Sequence, residues 1–265
     1  MKQLLCAAVL LAAAMSASAV SLPLITKCPP DAVLVGPTCV DKFEASVWQI
    51  PASNTILINM VKKGTATLAA LTSGATLISP AAGALPCGAP SFPPTFPPDG
   101  NWTAPLYSAS IAGVLPTACI TWFQAEQACA LSGKRLIRND EWQRAAAGTP
   151  DPGGSAGAMD CNTTAGAPVN TGSRANCKSS WGAFDMVGNV DELVADWLPA
   201  PTACPGWGRF SDDFMCLAGA STTIGPTALI RGGNFSHGTG AGVFAVNGSW
   251  PPTPDNFGAG FRCAR

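Results

Sequence analysis

Charge is scarce in this chain. Asp, Glu, Lys and Arg supply 12% of its 265 residues, about half the usual share, so long ion-paired helices are not expected. Fifteen basic residues face sixteen acidic ones, the net charge is −1, and Lys and Arg never occur as a run. That excludes an electrostatic footprint for nucleic acid and a polybasic membrane patch. Cysteines are never spaced as CxxC, which argues against a thiolate metal cluster. Neither a Gly-x-Ser-x-Gly nucleophile elbow nor a phosphate-binding Gly-Lys motif occurs. After the first twenty residues no apolar run is clean enough to span a membrane. The uncharged stretch from Ala66 to Leu85 is interrupted by Gly74, Pro80 and Gly83, which a lipid-embedded helix does not favour.

What the chain has in abundance is glycine, proline and cysteine. Twenty-eight Gly and 24 Pro imply a fold rich in turns and loops, while 47% hydrophobic residues suffice for a substantial core. Residues 1–19 read as a secretory signal: Lys2 gives the positive start, Leu4 to Met15 the apolar stretch, and Ala17-Ser18-Ala19 the small-residue cleavage site. The expected product is an exported protein without a transmembrane segment, beginning at Val20. Of eleven cysteines, ten follow that segment, and an even number in an exported chain argues for disulfides. Cys28 with Cys39 and Cys161 with Cys177 are the expected local pairs, and the other connectivities stay open.

Taken in order, Val33 to Phe43 reads as two short strands around Gly36-Pro37. Residues 46–115 hold no period and include the proline-rich PSFPPTFPPDG, so a loop-rich insertion is expected there within a single domain, 20–265. Thr121-Trp-Phe-Gln124 fits a capping box and predicts a helix ending at Gly133. A second helix is expected from Asn139 or Asp140 to Gly148. VDELVADW at 190–197 fits strand or helix, and Val243 to Val246 has the length and composition of a strand. Two helices followed by short strands and long loops make an α+β domain.

Residues 230–265 have the composition of a recognition surface, with aromatics for contact area and small polar side chains for adaptable hydrogen bonds. Asn234, Phe235, Ser236, His237, Thr239, Asn247, Ser249, Trp250, Asp255, Asn256 and Phe257 are the candidate ligand-binding residues. Gly232 and Gly233 permit a tight turn ahead of them. His237 alone is a weaker candidate general base, and Asp191, Glu192 and Asp196 a weaker carboxylate set for hydrolysis.

GKRLIRNDEWQRAAAG at 133–148, GAFDMVGNVDELVADW at 182–197, LIRGGNF and GFRCAR resemble, in order, the signature blocks of the formylglycine-generating enzyme (sulfatase-modifying factor) family. The resemblance implies a loop-rich, disulfide-stabilised α+β variant of the C-type lectin fold. In the catalytic branch two cysteines shortly after the RGGS-like turn bind copper, and here His237 and Gly242 stand at those positions. Cys263 matches a place beyond that active site and is expected in a disulfide. The non-haem iron chemistry attributed to such domains needs several imidazoles, and this chain has one histidine. Asn162 and Asn189 fall where the family places calcium ligands, an ion that favours such oxygens; Asn189 equally suits a turn. Asp191 and Leu193 replace two tryptophans usual in the family, and Asp191 reads either as a further oxygen ligand or as an exposed edge.

RGGNF, AGVFAVN, the following proline-rich turn and GFRCAR also resemble the variable region of proteins diversified by retroelements, which display altered residues on such a scaffold. The expectation is a non-catalytic ligand-binding protein with a protein or glycan partner, no nucleic acid, and no required cofactor beyond a structural calcium. Its rival is a metal-dependent formylglycine-generating oxidase, for which Cys204 and Cys216 are the remaining candidate thiols in the later half.

Overall fold

A computed structural model describes residues 27–78, 105–252 and 258–265. The chain enters as β1 (Ala32–Val35) and β2 (Thr38–Asp41), antiparallel about Gly36 at φ 59°, a conformation glycine adopts without penalty. β3 (Ala45–Gln49), α1 (Thr55–Lys62), α2 (Leu68–Gly74), β4 (Thr76–Ile78) and β5 (Leu106–Ser110) follow. They give short regular elements to the described part of 46–115, read from the sequence as a loop-rich insertion; its proline-rich part lies outside the described residues. β4, β3 and β5 form a three-stranded antiparallel sheet. Leu57, Val61 and Leu71 of the helices close on it beside Trp48, Ile50 and Tyr107. Each helix is capped from its N-cap side chain, Asn54 accepting from Leu57 N and Thr67 from Ala70 N. At eight and seven residues neither is long enough to display a helical period.

α3 (Trp122–Leu131) carries the expected capping box in full. Gln124 N donates to Thr121 Oγ1 at 3.2 Å, and Thr121 N donates to Gln124 Oε1 at 2.9 Å. β6 (Arg135–Leu136) leads to α4 (Asn139–Ala145), whose first turn is held by Glu141, accepting from Arg138 N, and Asp196, accepting from Asn139 N. A long irregular stretch then reaches β7 (Asp191–Leu198), which settles the strand-or-helix question for VDELVADW: its first four residues are buried from both sides. β8 (Met215–Cys216), β9 (Thr227–Arg231), β10 (Val246–Trp250), β11 (Ala259–Phe261) and β12 (Cys263–Ala264) complete the fold. Of the expected strand Val243 to Val246, only Val246 belongs to β10. Phe244 sits in a turn, its N–H donating to Asp213 Oδ2 at 2.7 Å, so the ladder begins later than composition suggests.

β11, β7, β9, β10 and β8 form one sheet; β1, β2, β12 and β6 form another. The two are joined where β11 passes into β12 through Arg262, whose side chain is fully buried. Its Nε donates to Glu192 Oε2 at 2.8 Å and Nη2 to Oε1 at 2.5 Å, while Nη1 and Nη2 reach the carbonyls of Asp41 and Phe184. Glu192 also accepts from Trp142 Nε1 at 2.7 Å.

Four disulfides join described cysteines: Cys28–Cys39, Cys129–Cys263, Cys161–Cys177 and Cys204–Cys216. Cys119 is disulfide-bonded too. Both local pairs read from the sequence are present, and Cys263 is bonded as expected. The expected signal, 1–19, lies outside the described residues, among which no helix is long and apolar enough to cross a membrane.

Because breaking a buried pair strands a charge away from water, Glu192→Gln is expected to lower unfolding free energy by roughly 3–5 kcal/mol. Arg144→Ala, which removes an exposed pair with Asp140, is expected to cost under about 1 kcal/mol. Urea denaturation of both variants checks this, and equal losses would refute the assignment.

Candidate functional site

After β9 the chain turns back on itself. Gly232 and Gly233 have φ of 86° and 73°, and a Cβ on Gly233 would stand 2.6 Å from Ala241 Cα, so only glycine permits this approach. Gly242 N donates to Gly232 O and Gly232 N to Ala245 O, both at 3.2 Å. The result is a loop, 232–245, clasped at its base.

The candidate binding residues divide around that clasp. Asn234 and Phe235 are buried, at 3% and 1% exposure, which corrects their assignment to the display surface. The Asn234 amide donates to Asp191 Oδ2 at 2.8 Å, and its oxygen accepts from Ser236 N and Oγ at 3.0 and 2.9 Å. Phe235 is pinned by its backbone, N–H to Asn189 O and carbonyl from Gly166 N. Both residues therefore fasten the loop to the body. Ser236, His237 and Thr239 are exposed, as is Ser249; Asn247 and Trp250 are half-buried. Asn247 accepts from Ser249 N and Oγ, and Trp250 packs on the core beside Ala228 and Ile230. His237 and Asn247 share a recess that also touches Asp191 and Phe214. Asp255, Asn256 and Phe257 lie outside the described residues.

His237 Nδ1 accepts from Asn234 N at 3.2 Å, which leaves the ring proton on Nε2. Burial lowers its pKa. Asp191 Oδ1 lies 3.7 Å from the same nitrogen. Asp191 is buried, not an exposed edge, and burial pushes its pKa up to about 7 against the pull of the Asn234 hydrogen bond. The three carboxylates weighed for hydrolysis serve different neighbours: Asp191 holds Asn234, Glu192 holds Arg262, and Asp196 caps α4.

Beside the loop stands a group that sequence reasoning missed. Trp207, Phe210 and Phe244 contact one another with centroids 4.9 to 6.4 Å apart, and Phe210 is 65% exposed. The glycine-flanked aromatics of GWGRF were a visible signal. Phe244 was hidden by its resemblance to a strand residue.

Residues 98–265 match the family described as the sulfatase-modifying factor enzyme 1-like domain. The chain belongs to this family. Its fold is accordingly the α+β, C-type-lectin-like fold of the formylglycine-generating-enzyme type. Hercynine oxygenase of Mycolicibacterium smegmatis is 30% identical over 152 residues, 52% of this chain and 35% of that protein. The formylglycine-generating enzyme of Thermomonospora curvata is 28% identical over 175 residues, 56% of this chain and 55% of that protein. The chain thus spans about a third to about half the length of these relatives. Among solved structures, the M1 and P3c variants of the Major Tropism Determinant align with TM-scores of 0.48 and 0.47. Each is 18% identical, with 89% of this chain and 52% of the other covered.

Against the family's copper-binding thiols, the loop offers no sulfur. A Cβ on Gly242 would fall 2.1 Å from Asp213 Oδ1 and 2.3 Å from Oδ2, so a carboxylate already fills the space a cysteine side chain would need. All nine described cysteines are disulfide-bonded, Cys204 and Cys216 to each other.

Asn162 and Asn189, the family-based calcium candidates, do come together in the interior. Asn162 Nδ2 donates to Asn189 Oδ1 at 3.1 Å, and Val169 N donates to the same oxygen at 2.9 Å. Asn189 Nδ2 donates to Glu44 Oε2 at 2.5 Å. With two donors already on the Asn189 oxygen, this arrangement is a hydrogen-bond network that does not fit a cation.

The raised pKa of Asp191 sets a pH dependence. The folded protein keeps a proton that the unfolded chain, at a carboxyl pKa of 3.8, releases. This contribution to stability is complete below about pH 4 and is lost as pH rises through about 7. Relative to Asp191→Asn, the wild type is expected to lose on the order of 4 kcal/mol between about pH 4 and pH 8. Denaturation profiles of the two proteins across that range check it; parallel profiles would rule it out.

Proposed function

We propose that this protein is an exported, non-catalytic ligand-binding protein whose contact face is the outer side of the clasped loop. Ser236, His237, Thr239 and Ser249 supply exposed polar contacts, with Asn247 and Trp250 at their edge. The aromatic group of Trp207, Phe210 and Phe244 supplies apolar area of the kind that dominates binding energy. Asp255, Asn256 and Phe257 remain assigned to this face on composition alone. A protein or a glycan fits this chemistry. The disulfides favour an oxidising compartment and so support export.

The observation that carries the reading is the Gly242–Asp213 contact. It puts a carboxylate where the second thiol of a copper oxidase would project, and the first thiol position holds His237. The rival, a formylglycine-generating oxidase, rests on family membership and on the name of one relative.

The two readings separate in one experiment. The protein is incubated with copper, oxygen, a thiol reductant to supply the second pair of electrons that reduction of oxygen requires, and a cysteine-containing sulfatase-type peptide, and the peptide is analysed by mass spectrometry. Unchanged peptide is expected, and conversion of its cysteine to the aldehyde would reject the proposal. In parallel, binders selected from glycan arrays and surface-protein display are expected to lose about tenfold in affinity, near 1.4 kcal/mol, on His237→Ala with Thr239→Ala, and again on Phe210→Ala. Ile56→Ser on α1 should leave them unaffected.

A further inference from the structure

One carboxylate oxygen from each of Asp151, Asp212 and Asp213 lies within 4.8 Å of the others. Asp151 belongs to the turn at 150–154, where its Oδ1 accepts from Gly153 N at 2.9 Å. Asp212 and Asp213 belong to the bend before β8. The first two are exposed, but Asp213 is only 3% exposed. Its Oδ2 accepts from Phe244 N, while its Oδ1 is buried without a hydrogen-bond partner among the described residues. An uncompensated buried carboxylate oxygen is costly, and two further acidic groups beside it add repulsion.

No described ion pair relieves this charge: Lys134, Arg135, Arg138, Arg144, Arg262 and Arg265 all pair elsewhere. Arg231 lies within electrostatic range of Asp213. Its guanidinium, however, is engaged by Gln143, the Val243 carbonyl and the face of Trp142.

We propose that Asp151, Asp212 and Asp213 form a binding site for a divalent cation of the calcium class. Hard oxygen donors and an open outer side that admits water suit such an ion. Calcium, with oxygen distances of about 2.3–2.6 Å and a flexible coordination shell, accepts an irregular set of carboxylates completed by water, whereas magnesium, at about 2.0–2.1 Å, demands near-ideal octahedral geometry. The site is separate from Asn162 and Asn189, and it stands whether or not the loop binds a ligand. Its consequence is mechanical: the ion would join the turn at 150–154 to the bend at 211–214. Asp213 already holds the Phe244 end of the clasped loop, and Gly154 lies against Thr239.

Calorimetric titration of the intact, chelator-treated protein with calcium and with magnesium tests this. With one buried and two exposed carboxylates, a calcium Kd of ~0.1–1 mM is expected, in the range of extracellular modules. Magnesium is expected to bind at least about tenfold more weakly. Asp151→Asn with Asp212→Asn should weaken calcium binding at least about tenfold without lowering the melting temperature in chelator, because repulsion is removed. Asp151→Asn alone serves if the double variant does not fold. Absence of calcium binding and of a thermal shift at about 10 mM calcium overturns the proposal. So does unchanged calcium affinity in the variant, which would put the ion elsewhere.

Discussion

The buried ion pair of Arg262 with Glu192 is the constraint on which the rest of the molecule hangs. Removing two charges from water is costly and is compensated only when geometry and hydrogen bonding are nearly complete. Here the guanidinium grips both carboxylate oxygens and two backbone carbonyls, and Glu192 takes Trp142 as well. Those partners come from β2, α4, β7 and the segment ahead of β7, so the pair fixes where the two larger sheets meet. Nearby, Glu44 and Asp185 are also buried. Desolvation raises Glu44 well above the usual carboxylate range and Asp185 to about 6, and the Arg262 charge opposes both shifts. A single cation thus stabilises a small acidic interior.

The clasped loop inherits its position from that interior. Glu44 holds Asn189 and Val190 N; Asn189 O receives Phe235 N, and Asp191 receives Asn234. From buried carboxylate to the loop base at Asn234 and Phe235 the route is continuous, and the exposed Ser236, His237 and Thr239 follow it. This division suits recognition, in which a fixed frame lowers the ordering cost of the contact residues. The copper-thiol arrangement of the family's catalytic branch would instead need a thiol at Gly242, where Asp213 leaves no space.

Sequence reasoning reached what is local. The Gly36 hairpin, the Thr121–Gln124 capping box, α4 and the two short-range disulfides each follow from residues within a few positions of one another, and the ordered blocks revealed the fold. Long-range contacts escaped it. Asn234 and Phe235 look like display residues in a polar, glycine-rich stretch; their burial depends on partners at Asp191 and Asn189, more than forty positions away. Trp207 and Phe244 are likewise distant in sequence and meet only in the folded protein. α1 and α2 escaped because each buries only one or two side chains, too few to imprint a period. VDELVADW stayed ambiguous because a strand buried on both faces does not alternate.

The place of β12 bears on how such a chain is made. Residues 263–264 lie between β2 and β6 in the middle of their sheet, and Cys263 N donates to Asp41 across 222 positions. The first hairpin therefore waits with an open edge until nearly all the described chain is available. Pairings that close so large a loop form slowly, and an edge left unpaired meanwhile invites association. Among the described strands this sheet is therefore completed late, and the Cys129–Cys263 bond ties its inner strand to α3.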